Sequence, residues 1–168
     1  MTRLAISFLL AFGLIGCSSV PKSVDVEQTQ PLVSYIEAQS LTQPSQGVMA
    51  RWGGTIAAVR NLAEHTVIEV VHFELDSSAY PNKGSDQSAG RFKAYVNGFL
   101  DSEIYKPGRS ITILGTVSAP ETDKIGEYTY RFPVLKQAKV HLWPEKTPQI
   151  EPVYRTPFIL HTPIYYRY

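Results

Sequence analysis

A single cysteine, Cys17, stands among the 168 residues, so no disulfide can close within the chain. No excess of charge of either sign exists: 16 Lys and Arg face 15 Asp and Glu. That balance argues against nucleic acid as a partner, because such surfaces are strongly basic where they neutralise phosphates. No apolar run approaches the roughly 20 residues of a permanent membrane-spanning helix. The CxxC, HExxH, EF-hand and GxxxxGK patterns are missing, and so is a GxSxG elbow that would expose a serine nucleophile. The four histidines, His65, His72, His141 and His161, are not spaced as three or four converging zinc ligands would be. No metal and no cofactor is expected beyond a covalent lipid.

The lipid is implied by the N-terminus. Arg3 precedes the apolar run Leu4 to Leu14, and Leu14-Ile15-Gly16-Cys17 follows, with small residues at 13 and 16. This order matches a bacterial lipoprotein signal, so residues 1–16 read as a signal peptide and Cys17 as the first mature residue and the site of lipid attachment. Each buried methylene contributes about 0.8 kcal/mol to membrane residence, so two or three acyl chains hold a protein on a bilayer. Ser18 rather than Asp after the cysteine points to the outer membrane, with the domain in the periplasm. Cleavage leaves 152 residues, enough for one domain with a real core.

Residues 17–46 are rich in Ser, Gln and Pro and read as a lipidated tether; as a flexible coil, the 29 residues after Cys17 would span roughly 30 Å. An apolar patch at Leu32, Val33, Tyr35, Ile36 and Leu41 could form a short packed helix with Pro31 at its first position. From Gly47 the texture is β. Segments Gly47 to Val59, His65 to Leu75, Arg91 to Leu100, Ser110 to Ser118 and Tyr130 to Trp143 are rich in β-branched and aromatic residues and bounded by turn formers. Val67, Val71, Phe73 and Leu75 share one face of the second, and Val134, Ala138, Val140 and Leu142 one face of the last. Asn61 to Glu64, Asp76 to Gly90, Asp101 to Arg109 and Ala119 to Glu127 read as linkers. The expected fold is all-β: a small antiparallel barrel of five strands, OB-like, over residues 47–144, with a β-sandwich as the alternative. Gly53-Gly54 inside the first strand suggests a bulge or sharp coil that lets it serve both sides of the barrel. Lys106-Pro107-Gly108-Arg109 reads as a tight turn. Residues 145–168, rich in Pro and Tyr, form an extended tail expected to dock on the barrel rather than remain free.

These residues carry a family resemblance. Val48-Met49-Ala50-Arg51-Trp52-Gly53-Gly54-Thr55-Ile56, Leu75-Asp76-Ser77-Ser78, Ser88-Ala89-Gly90-Arg91-Phe92, Gly98-Phe99-Leu100-Asp101, Gly108-Arg109, Ile125-Gly126-Glu127-Tyr128, Phe132-Pro133 and Leu142-Trp143-Pro144 together resemble the Slp (starvation-inducible outer-membrane lipoprotein) family, including its YeaY-type members. The resemblance implies an outer-membrane lipoprotein linked to starvation or stationary phase, and it brings no catalytic residues with it.

The candidate ligand or partner surface is Arg51, Trp52, Arg91, Arg109 and Trp143. Trp52 and Trp143 fall in the first and last strands, read as neighbours that either plug the core or stack a ligand. The three arginines could bind an anionic headgroup or glycan, or pair with Asp76, Asp101 or Glu127. His72 and Glu74 read as a solvated strand face, Asp101 with Glu103 and Glu121 with Asp123 as solvated turns, and Ser77, Ser78 and Ser88 as loop caps. The expectation is a binding or structural component of the envelope and not an enzyme, held on the membrane, with an envelope protein or glycan as partner. The competing readings are an accessory that docks on an outer-membrane protein and a hydrolase of envelope polymers.

Overall fold

The computed structural model describes residues 20–27, 29–41, 47–84 and 87–145. Cys17 and all of the tail beyond Glu145 lie outside the described residues, and with them the expected lipid site and tail docking. Five strands are present: β1 Met49–Asn61, β2 His65–Phe73, β3 Gly90–Asn97, β4 Ser110–Ile125 and β5 Tyr128–Leu142. They close into a barrel in the ring order β1-β2-β3-β5-β4. That is the OB-type arrangement, and ring closure removes the sandwich alternative. All pairings are antiparallel except β3 with β5, which meet in parallel at Lys93↔Val134 and Ala94↔Leu135.

β1 serves two neighbours, as expected. Met49 to Thr55 pair with β4 and Gly53 to Asn61 with β2. The glycines act differently from the expectation, however, since the register break falls between Ile56 and Ala58. Gly54 is needed for close approach: a Cβ there would collide with the Val71 carbonyl oxygen of the paired strand.

The core runs through alternate residues: Ala50, Trp52 and Ile56 of β1, Ile68 and Val70 of β2, Phe92, Ala94 and Val96 of β3, Ile111, Ile113 and Val117 of β4, and Leu135 and Ala138 of β5. On β2 the inward face is therefore Ile68, Val70 and His72, the face opposite to Val67, Val71 and Phe73. A run in which both faces are apolar leaves period two without a preferred phase. On β5, Val134 leaves the face of Ala138 because the ladder slips between Leu114 and Thr116, where Gln137 takes φ 51°.

The expected linker at 119–127 is strand. β4 and β5 continue as a long hairpin whose two-residue turn, Gly126-Glu127, uses φ 60° at the glycine. Pro120 sits in the register break between Ser118 and Glu121, where a proline takes no donor from the ladder. Glu121 and Asp123 consequently lie on a strand and not on a turn.

Much of the expected tether is bound to the barrel. A single 3₁₀ turn, Lys22–Val24, rests against β4 and β5 with Val24 fully buried. Val33 N donates to Met49 O beside the start of β1. Helix α1, Tyr35–Ser40, begins four residues later than a Pro31 start would have it, because Ser34 and Glu37 form a capping box. Its C-terminal carbonyls of Gln39 and Leu41 accept from Arg131 of β5, both at 2.6 Å. Tyr35 enters the barrel end. It stacks on His72 at 4.1 Å and meets Trp52 edge-on at 5.6 Å, and its hydroxyl donates to Arg91 O at 3.0 Å.

Candidate functional site

An open cleft of about 980 Å³ lies between the β2–β3 loop, the turn before β4 and the chain leaving β5. Its walls include Asp76, Tyr80, Asn82, Lys83, Arg109, Ser110 and Glu145, with Pro81, Pro107 and Pro144 between them.

The loop is wound around Asp76. One carboxylate oxygen accepts from Ser78 N at 2.8 Å, Ser78 Oγ at 2.6 Å and Tyr80 N at 2.9 Å, which holds the carboxyl below the ordinary aspartate range. Ala79 takes φ 64° and is buried. Its carbonyl accepts from Thr112 Oγ1 at 2.6 Å, and Thr112 Oγ1 in turn accepts from Trp143 Nε1 at 2.9 Å. Trp143 stands edge-on to Tyr80 at 5.0 Å and to His141 at 4.4 Å. The loop, β4 and the exit from β5 are thereby joined through one threonine.

Arg109 organises the opposite wall. It donates to Ile104 O at 3.1 Å and to Trp143 O at 2.8 Å, and its Nε lies 3.7 Å from Glu145. Lys106 meets the same carboxylate at 3.0 Å, and this contact lowers the Glu145 pKa. The expected turn is there, with Gly108 at φ 90°. Asn82 Oδ1 already accepts from Gly84 N at 3.0 Å, so the Asn82 amide N–H groups and the Lys83 ammonium line the cleft beside the Tyr80 ring that packs on Trp143 and near two carboxylates, a set suited to hydrogen bonding of a polar molecule.

Of the five candidate residues the structure brings together only Arg109 and Trp143. β1 and β5 are separated by β4, so Trp52 and Trp143 are not neighbours: Trp52 is core, with Nε1 donating to Val33 O at 3.0 Å. Arg51 donates to Val24 O at 3.3 Å. Arg91 pairs with Glu69 at 2.6 Å. Among the described residues these arginines do not pair with Asp76, Asp101 or Glu127; Arg91 uses Glu69 and Arg109 uses Glu145.

A smaller hollow of about 270 Å³ lies on the outside of β2 and β3, lined by Arg60, Glu69, Lys93 and Asp123 among others. Its charges answer one another. Lys93, 5% exposed, meets Asp123 at 2.5 Å and lies over the Phe132 ring at 4.7 Å. Tyr95 donates to Glu121 at 2.8 Å, and burial followed by that carboxylate pushes its pKa up to about 12. His72 is also corrected: it is 3% exposed inside the barrel, its Nδ1 has no partner, and burial pushes its pKa down to about 4.

Sequence reasoning missed Tyr80, Asn82, Lys83, Thr112 and Glu145. The Asp76-Ser77-Ser78 turn signal was present, but nothing local shows that this loop folds back on β4. Among the described residues no group of three or more His, Cys, Asp or Glu is placed to hold a metal ion, and no helix is long and apolar enough to cross a membrane.

The sequence profile of the Outer membrane lipoprotein Slp family matches residues 14–168. The chain is 34% identical over 133 residues to the lipoprotein YeaY of Escherichia coli (strain K12), covering 79% of this chain and 68% of that one. It is 37% identical over 136 residues to a protein of Haemophilus influenzae, covering 80% and 72%. It is 30% identical over 145 residues to the outer membrane protein Slp of Escherichia coli (strain K12), covering 85% and 76%. No solved structure matches it significantly.

Proposed function

This chain belongs to the Outer membrane lipoprotein Slp family and is a lipoprotein of the outer membrane, and from that premise we propose that its barrel is a binding module for an envelope component, held at the membrane by acyl chains on Cys17 and facing the periplasm. The observation that carries the reading is the cleft. It is built by three separate chain segments tied through Thr112 and Arg109, and Asn82 and Lys83 line it beside the Tyr80 ring that packs on Trp143. An aromatic ring beside an amide and mixed charges suits a sugar polymer or an extended polar peptide, and a glycan is the ligand class we assign. The role is binding and not turnover, with abundance rising in stationary phase.

A photo-crosslinking residue at Lys83 in intact cells tests this. An adduct with an envelope glycan at position 83, absent when the same residue replaces Thr129 on the distal hairpin, is the expected result; no adduct at 83 overturns the reading. Docking on an outer-membrane protein is the second reading, favoured by Phe99 and Leu62, which stay 74% and 45% exposed. In that case the adduct would form at Phe99 and would contain protein.

A further inference from the structure

The packing of the N-terminal segment leaves little chain between the lipid and the barrel. Val24 is fully buried on β4 and β5 and its carbonyl accepts from Arg51. Leu32 bridges to Met49, and Trp52 Nε1 donates to Val33 O. Val20, half-buried just ahead of the 3₁₀ turn, lies three residues after Cys17. Whatever path the backbone takes, three residues reach at most about 11 Å.

We infer that the outer face of β1, β4 and β5 lies directly against the phosphate-bearing headgroups of the membrane, so that the domain rests on the bilayer and is not held off by a tether. The inference depends on acylation of Cys17. A reach of about 11 Å from the lipid to Val20 is close to the Debye length of about 10 Å at 0.1 M salt, so charges near Val20 are only partly screened from the surface. Over the stretch where the three strands run side by side, the strand charges have one sign, opposed only by Asp25 and Glu27 of the segment that covers them. The segments Met49 to Thr55, Ser110 to Ser118 and Lys136 to Leu142, which run side by side, contain Arg51, Lys136 and Lys139 and no Asp or Glu. Arg51 pairs with Leu114, and Leu114 with Lys139, so the two cations lie on one row across the three strands. Lys139 is exposed and alternates with core Ala138. Lys22 is exposed on the 3₁₀ turn beside them; Asp25 and Glu27 follow that turn, and Lys136 lies over the Tyr95 ring at 5.8 Å. A cationic row next to a short anchor fits an anionic lipid surface.

The opposite end of the barrel should then face away. Phe99 sits in the loop held to Asn61 through Leu100 O, and Asn61 is ten residues along β1 from Arg51, about 33 Å of strand.

The test uses the acylated full-length protein in vesicles of phosphatidylethanolamine with a minor fraction of phosphatidylglycerol. Because the Cys17 thiol is consumed by the lipid, Lys139→Cys and Phe99→Cys each offer one thiol for a fluorescent label, read against a quencher fixed on the lipid headgroups. Quenching several-fold stronger at 139 than at 99 is expected, and a Gly/Ser insert of about 20 residues between Ser19 and Val20 should remove the difference by adding roughly 25 Å of slack. Equal weak quenching at both positions in acylated protein overturns the inference, as does stronger quenching at 99. Absence of acyl label at Cys17 together with loss of vesicle retention overturns the anchoring premise instead, and mass analysis of the same sample separates the two failures.

Discussion

His72 shows what a single buried side chain imposes on this barrel. Its imidazole stacks on Tyr35 with Nδ1 unpartnered, and burial pushes its pKa from 6.5 to about 4. The charged form is disfavoured in the folded state, so in that range the unfolded chain binds more protons and stability falls as pH falls from about 6.5 through about 4. The paired carboxylates of Asp123 and Glu145 have lowered values and lose their contribution further down. We expect the melting temperature to drop between pH 6.5 and 4, and to drop less in His72→Phe; identical pH profiles for the two proteins would count against it. Gly54 makes the second case. Any Cβ meets the Val71 carbonyl oxygen, so Gly54→Ala should destabilise by about 1 to 3 kcal/mol as an overpacked site does. Gly54→Val should cost more, and urea denaturation that leaves either midpoint unchanged would remove the close approach.

Helix α1 is short, and its six residues could not persist alone in water. Two different forces hold it. The capping box fixes its first turn, and Ser34→Ala should cost about 1 kcal/mol. The Tyr35 ring, 2% exposed against Trp52, His72 and Phe92, supplies the larger share, and Tyr35→Ala should cost about 3 to 5 kcal/mol as large buried aromatic truncations do. Tyr35→Phe removes the bond donated to Arg91 O and the one accepted from Gln39 Nε2, and should cost about 1 to 2 kcal/mol. If urea midpoints ranked Ser34→Ala as the most damaging of the three, the helix would be held by its cap and not by its plug.

For the whole molecule the membrane is the organising boundary. No helix among the described residues is long and apolar enough to cross it, and under the proposed acylation of Cys17 retention rests on the lipid. Cys17→Ser should therefore leave the chain without incorporated fatty-acid label and recoverable from the membrane fraction by a mild wash. Acyl label persisting on that variant would contradict the assignment of the anchor. The cleft variants act on a separate property: Lys83→Ala should reduce capture of the envelope glycan while leaving the melting temperature within about 0.5 kcal/mol equivalent of the parent, as expected of a surface site.

Sequence alone determined what depends on short spacings. The five β segments, the Pro107-Gly108 turn and the OB-like barrel all follow from local pattern and turn chemistry. The family motifs added the outer membrane. Tertiary structure decided what depends on distant partners. His72 read as solvated because alternation has no phase when both faces of β2 are apolar; closure of the ring chose the inside. The Tyr35 patch read as a helix that could pack on the domain, but where it packs was not legible, because its burial exists only once Trp52 and Phe92 converge on it from two strands. Arg109 and Trp143 meet because β4 leads one out where β5 leads the other back. Tyr80 and Lys83 reach the same cleft only because the Ala79 carbonyl bonds Thr112, 33 residues further along the chain. A contact across that separation leaves no periodic trace in sequence, since its physical cause is the packing of strands and not the order of residues.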